Sequence, residues 1–364
     1  MGGEGRLKYV DEYRNKEIAQ KILRQIKGIS EKKINLMEVC GTHTVAIFRN
    51  GIRKILPQNI NLISGPGCPV CVTPISYIDE VIVLSRKEEF IITTFGDMMR
   101  VPGSTSTLEK EKTDGADIRI VYSTLDALKI AQDNSSKEVV FMGVGFETTS
   151  PTIASAVLKA QKDEINNFSV LSVAKIMPPA MKALLEGKEV NIGGFICPGH
   201  VSAIIGSEPY TFIATKYKIP CVICGFEPLD ILQGIYMLVK QIEDGRAEVE
   251  IQYERAVKPE GNEIALDKIN EVFKVVDSDW RGIGNIPLSG LEIKDKYGKF
   301  NARKFEVEIE ETREPRGCRC GEVLRGVVTP PECPLFKKVC TPEDPKGACM
   351  VSTEGTCAAY YKYN

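Results

Sequence analysis

From about residue 34 to 250 the chain repeats one rhythm, in which short apolar runs rich in β-branched residues alternate with longer amphipathic stretches. INLMEV, NLISG, FIITTF, IRIVYS, VVFMG, SVLSV, GGFIC and PCVICG read as strands. PISYIDEVIVLSRK, TLDALKIAQ, SPTIASAVLKAQK, PPAMKALLEG and PLDILQGIYMLVKQIED read as helices, several opening on Ser, Thr or Pro as helix starts do. Short runs apolar on both faces belong to buried parallel strands, and the helices between them supply the crossovers. The predicted fold class is α/β: two parallel-sheet α/β domains facing a cleft, followed by a smaller C-terminal domain.

Residues 1–33 are expected to form an N-terminal helical segment. The charged, glycine-containing stretch Thr107 to Ala116 interrupts the rhythm and suggests a soft boundary there. It separates an α/β domain over 34–112 from a second over 113–250, the two being free to exchange segments. Gly-Phe-Glu follows a strand at 145–147 and again at 225–227, a weak sign of two related halves. From 251 to 364 charged alternating segments give way to a Cys-, Pro- and Gly-rich tail that a metal would have to order.

With 47 Lys+Arg against 49 Asp+Glu the net charge is −2, so no broad field attracts nucleic acid or an anionic membrane. No apolar run approaches the roughly 20 residues of a membrane span, and the opening MGGEGRLKYVDEYRNKEIAQ lacks a signal-peptide core, so a cytoplasmic protein is expected. Twelve cysteines in that compartment point to metal ligation or redox chemistry rather than structural disulfides.

In open α/β sheets ligands bind beyond the carboxyl ends of the strands, and the unusual residues fall there. Cys40 and His43 follow INLMEV, Cys68 and Cys71 follow NLISG, and Gly96 and Asp97 follow FIITTF. Glu147, the run Cys197-Pro198-Gly199-His200, and Glu227 end later strands. Cys68 and Cys71, just before a helix start, are expected to have lowered thiol pKa values suited to thiolate or soft-metal chemistry; otherwise they are inert core thiols beside a Gly-Pro turn. Cys40 and His43 offer a thiolate and an imidazole on one helical turn, as metal ligands, as nucleophile and base, or as a core thiol with a hydrogen-bonded ring. His200 suits coordination, proton transfer or a simple loop hydrogen bond. Glu147 and Glu227 are expected to be exposed at helix N-termini, capping them or handling substrate and protons. Cys221 and Cys224, three apart on a strand, face opposite sides and read as core thiols.

Residues 318 to 357 hold six of the twelve cysteines. The spacing Cys318-x14-Cys333-x6-Cys340-x16-Cys357 lacks the paired knuckles of a zinc ribbon and suits a [4Fe-4S] cluster wrapped by loops. Cys320 and Cys349 are then left over, either as a redox-active disulfide or as two reduced thiols.

The phrases MEVCGTHT, SGPGCPVCVTP, TTFGDMMRVPGS, GFETTSPT, ICPGHVSAIIG, CGFEPLDIL and CRCGEVLRG, with the tail spacing, resemble the HypD family of hydrogenase maturation factors across nearly the whole chain. The resemblance implies two α/β domains flanking a cleft and a [4Fe-4S] domain. It also implies work with a small partner, HypC, and with HypE, which delivers cyanide as a thiocyanate on its C-terminal cysteine. Together they would assemble the Fe(CN)2CO unit passed to the [NiFe]-hydrogenase large subunit.

By the same resemblance Cys40 shares the iron with the partner's N-terminal cysteine, with His43 nearby as ligand or proton donor. Cys68 and Cys71 form a redox-active pair beside it and help to hold the iron. Cys318, Cys333, Cys340 and Cys357 ligate the cluster, and Cys320 with Cys349 form an adjacent disulfide, as in ferredoxin-thioredoxin reductase. The alternative function is a ferredoxin-linked protein disulfide reductase acting through Cys68 and Cys71; a zinc-binding interaction protein is a further alternative. No S-adenosylmethionine radical motif or Walker loop is present.

Overall fold

A computed structural model of the chain describes residues 14–309 and 311–364. Its strands, in chain order, are β1 (Ile34–Glu38), β2 (Ile60–Ser64), β3 (Phe90–Thr94), β4 (Ile118–Ile120), β5 (Glu138–Gly145), β6 (Phe168–Ala174), β7 (Gly194–Pro198), β8 (Cys221–Cys224), β9 (Val249–Ile251), β10 (Phe273–Trp280) and β11 (Gly284–Ile293). The fold class is α/β. One five-stranded sheet runs β2-β1-β7-β8-β9 and one four-stranded sheet runs β4-β3-β5-β6, with every pairing parallel. All eight expected strands are present. Their central residues are almost wholly buried, which is why they read as continuous apolar runs.

The chain leaves the first sheet after β2, builds the second from β3 to β6, and returns with β7. A division at 107–116 therefore does not follow the sheets, because that stretch lies between β3 and β4, which pair directly. Its charged residues form the short helix Leu108–Thr113, capped by the Thr107 hydroxyl, which accepts from the Lys110 amide at 3.1 Å. Charge marked an exposed crossover; sheet membership depends on long-range pairing that local pattern does not encode.

The N-terminal segment supplies the helix Lys16–Ile29, capped by Asn15 and packed on the helix Pro228–Glu243. Residues 1–13 lie outside the described part. The antiparallel hairpin of β10 and β11, with a bulge between Val276 and Ser278, was not anticipated. It lies against β6 through the bridge of Lys175 with Gly290, and the buried Lys175 ammonium donates to Ser278 Oγ at 2.5 Å and to the Asp279 carbonyl at 2.7 Å.

The cysteine-rich tail is not a separate globule. Cys320, Val323, Phe336, Cys349, Met350 and Tyr360 join the same core as Met37, Val39, Cys68 and Cys71. Among the described residues no helix is long and apolar enough to cross a membrane.

Candidate functional site

Cys40 stands where β1 stops and the helix Gly41–Arg49 begins, in extended conformation at the N-cap. The turn after β2 closes on it: the Gly41 amide donates to the Gly67 carbonyl at 2.9 Å, and a Cβ on Gly67 would lie 2.2 Å from the Cys40 amide nitrogen. Only glycine permits that approach. Burial pushes the Cys40 thiol up to about 12, Glu354 adds to the rise, and the amides of His43 and Thr42 oppose it. The thiol stays protonated until a cation displaces the proton.

His43, one turn on, is fully buried. Its Nε2 lies 2.9 Å from the Gly225 carbonyl and 3.2 Å from that of Cys224. Carbonyls only accept, so Nε2 carries the hydrogen, and the buried Nδ1 keeps an unpartnered lone pair. Burial pushes the ring down to about 4, which leaves it neutral. Phe226 is sandwiched between the only two histidines, its centroid 4.7 Å from His43 and 3.9 Å from the exposed His200. The tail completes this corner, because Thr42 Oγ1 donates to Glu354 Oε1 at 2.7 Å.

All twelve cysteines are free thiols. Cys68 caps the short helix Pro69–Val72, accepting from the Cys71 amide at 3.3 Å. The lowered thiol pKa expected here does not hold for Cys71, whose thiol burial pushes well up, with Cys349 opposing and Cys68 and Cys320 reinforcing. A helix of four residues has little dipole to offset full burial. Cys71 lies next to Cys349 and the Ala348 carbonyl of the tail. Cys349 Sγ in turn lies 2.9 Å from Cys320 Sγ. A chain of thiols thus runs Cys68, Cys71, Cys349, Cys320.

Cys318, Cys320, Cys333, Cys340, Cys349 and Cys357 all line one small cavity, closed by Val323, Phe336, Met350 and Gly347. No carboxylate or imidazole shares the lining. Among the described residues no three His, Cys, Asp or Glu side chains converge as ligands of one ion, and Cys40, Cys68 and Cys71 are no exception. A four-iron cluster makes a different demand, since each iron takes its own thiolate at a separate corner. Four thiols drawn from separate turns around an apolar cavity fit that demand.

The family profile described as "Hydrogenase formation hypA family", HypD, matches residues 16–364. The chain belongs to the HypD family of hydrogenase maturation factors. It is 47% identical to hydrogenase maturation factor HypD2 of Bradyrhizobium diazoefficiens, over 98% of this chain and 97% of the relative. It is 46% identical to HypD of Cupriavidus necator over the same shares, and 46% identical to a putative hydrogenase expression/formation protein of Methanocaldococcus jannaschii over 96% and 98%.

Other expected site residues of this HypD-family chain are distributed between the two sheets. Cys40, Cys68, His200 and Glu227 stand beyond the five-stranded sheet, whereas Cys197 is buried within its strand β7 rather than in the loop expected for it, and Asp97 and Glu147 follow strands of the four-stranded sheet. Glu147 is not exposed as expected: the turn after β5 folds it inward, where Oε1 accepts from the Met177 amide at 2.9 Å and Oε2 is buried without a partner. Glu227 is partly exposed before the helix Pro228–Glu243 and pairs with Arg14 at 2.7 Å. Cys221 and Cys224 are buried in different core clusters, as alternation along a strand requires.

Sequence reasoning missed Glu38, Glu354 and Lys175. Glu38 is fully buried, accepts from Thr44 Oγ1 at 2.9 Å, and is pushed up to about 8 by burial. A glutamate ending the apolar run INLMEV was a readable signal; Glu354 in an ordinary Ser-Thr-Glu-Gly loop offered none.

Proposed function

We propose that the chain is the scaffold on which the Fe(CN)2CO unit of a [NiFe]-hydrogenase is assembled, in complex with HypC and HypE, before transfer to the large subunit. The observation that carries this reading is one corner of the fold: the buried Cys40 thiol at a helix start, a neutral His43 beside it, and a thiol chain leading from Cys68 to a cavity of six cysteines. Iron is the cargo, shared between Cys40 and a cysteine of HypC. A buried thiol that only a cation deprotonates, in a corner shielded from water, suits a low-valent iron with strong-field ligands. His43 Nδ1 offers a lone pair there, and His200, across Phe226, is positioned to exchange protons with solvent.

Cys318, Cys333, Cys340 and Cys357 would hold a [4Fe-4S] cluster, which when bound supplies single electrons to the neighbouring thiols. Cyanide leaves a thiocyanate sulfur as an anion only if two electrons are added, and a dithiol supplies two as it closes to a disulfide. Once Cys68 and Cys71 have closed, Cys349 attacks Cys71 and frees the Cys68 thiolate. Cys320 then attacks Cys349, freeing Cys71 and leaving the disulfide as Cys320–Cys349. A ferredoxin-linked protein disulfide reductase is the second reading, carried by the same chain of thiols.

The test is an infrared spectrum of the chain purified with HypC in the absence of oxygen. Bands of iron-bound cyanide and carbon monoxide are expected, and Cys40→Ala loses them while keeping the brown colour of the cluster. Bands that survive Cys40→Ala reject the scaffold reading. Their absence from the wild type, together with thiol exchange on a protein disulfide, transfers the case to the reductase.

A further inference from the structure

The best-buried arginine among the described residues has no part in the chemistry above. Arg281 lies in the turn between β10 and β11 with 2% of its side chain exposed, and among the described residues no other arginine is buried. Its Nε donates to Glu314 Oε1 at 3.0 Å, while Nη1 is buried with no partner. A buried guanidinium with an unused donor is costly to hold, so its retention calls for negative charge close by.

The backbone fixes what lies around it. The Arg281 amide donates at 2.9 Å to the carbonyl of Val72, the residue after Cys71. A Cβ on Gly282 would lie 2.2 Å from Gly321 Cα, immediately after Cys320. Glu314 is near enough to Cys318 for its charge to raise that thiol. The turn is therefore wedged behind the wall that Cys318 and Cys320 give to the tail cavity.

We propose that Arg281 is a positioning residue for the iron–sulfur site, whose buried positive charge raises the reduction potential of the cluster held by the tail cysteines. The inference rests on the cluster reading above. On reduction the cluster takes one electron from an external reductant and gains one negative charge, with no bond broken. A nearby buried cation stabilises the reduced form more than the oxidised one. Glu314 opposes it, but its side chain is 59% exposed and water screens its charge, so the buried guanidinium prevails.

The experiment is a dithionite titration of the full chain, followed by electron paramagnetic resonance of the reduced cluster. Arg281→Gln is expected to lower the reduction equilibrium about tenfold, which is about 59 mV for a one-electron couple. Glu314→Gln, on an exposed side chain, shifts the potential upward. An unchanged potential in Arg281→Gln with the cluster intact overturns the proposal. Should Arg281→Gln fail to retain the cluster, Arg281→Met, which keeps the bulk of the side chain without its charge, decides: a lowered potential supports the proposal and an unchanged one overturns it. A wild-type chain without inorganic sulfide fails at the earlier step, and the cluster reading falls together with this inference.

Discussion

Glu147 holds its proton for a reason that lies in its surroundings. Burial pushes its carboxyl from the ordinary 4.5 up to about 7, and the hydrogen bonds of its own amide and of the Met177 amide offset only part of that. The folded chain therefore binds this proton more tightly than the unfolded chain. The resulting stabilisation is complete below pH 4.5 and is lost as the pH rises through about 7. Glu147→Gln removes the dependence, so its stability relative to the wild type should improve by about 2–3 kcal/mol between pH 5 and pH 8. Urea unfolding at the two pH values measures it, and parallel changes in both proteins would refute it. His43 has the opposite sign, with stabilisation present above 6.5 and lost as the pH falls through about 4, so the comparison must be made against the wild type.

Between elements, fit is set by single atoms. The helix Pro228–Glu243 lies on β8 with Gly234 directly over Cys224, and a Cβ on Gly234 would come within 2.0 Å of that sulfur. Gly234→Ala should therefore destabilise the chain by about 2–3 kcal/mol through overpacking, despite the better helix propensity of alanine. Combined with Cys224→Ala, which vacates the space, most of the loss should return. A thermal-melt double-mutant cycle detects this, and simple additivity would rule out the contact. The same logic makes Gly67 obligatory where the β2 turn meets Cys40, and Gly282 where the hairpin meets Gly321.

Across the whole molecule, one short segment ties the tail to both sheets. Cys349 pairs with Cys320, Ser352 Oγ donates to Asp97 Oδ2 at 2.9 Å beyond β3, Glu354 accepts from Thr42 beyond β1, and Cys357 lines the cavity. Tyr360 then packs on Phe48, ring centroids 4.4 Å apart. Order in the tail is thus coupled to the helix that carries Cys40. Stripping iron from the anaerobic protein with a chelator should raise amide hydrogen exchange at least tenfold in residues 318–357 and also in the helix Gly41–Arg49. A change confined to the tail would show that the two parts are ordered independently.

The strands and main helices could be read along the chain because each is specified by its own apolar periodicity, and Cys40, His43, Cys68 and Cys71 stood out because they sit at strand ends in glycine-rich turns. The six-thiol tail announced itself by its spacing. What local pattern could not encode was which strands share a sheet, since β1 pairs with β7 across more than a hundred residues. Nor could it encode which thiols meet: Cys71 stands near Cys349, and Cys40 near Glu354, only because the tail folds back over the strand ends. Burial is likewise a property of the assembled chain. The sequence determined the residue types at the site, but whether each is ionised depends on how much water the tertiary structure removes around it.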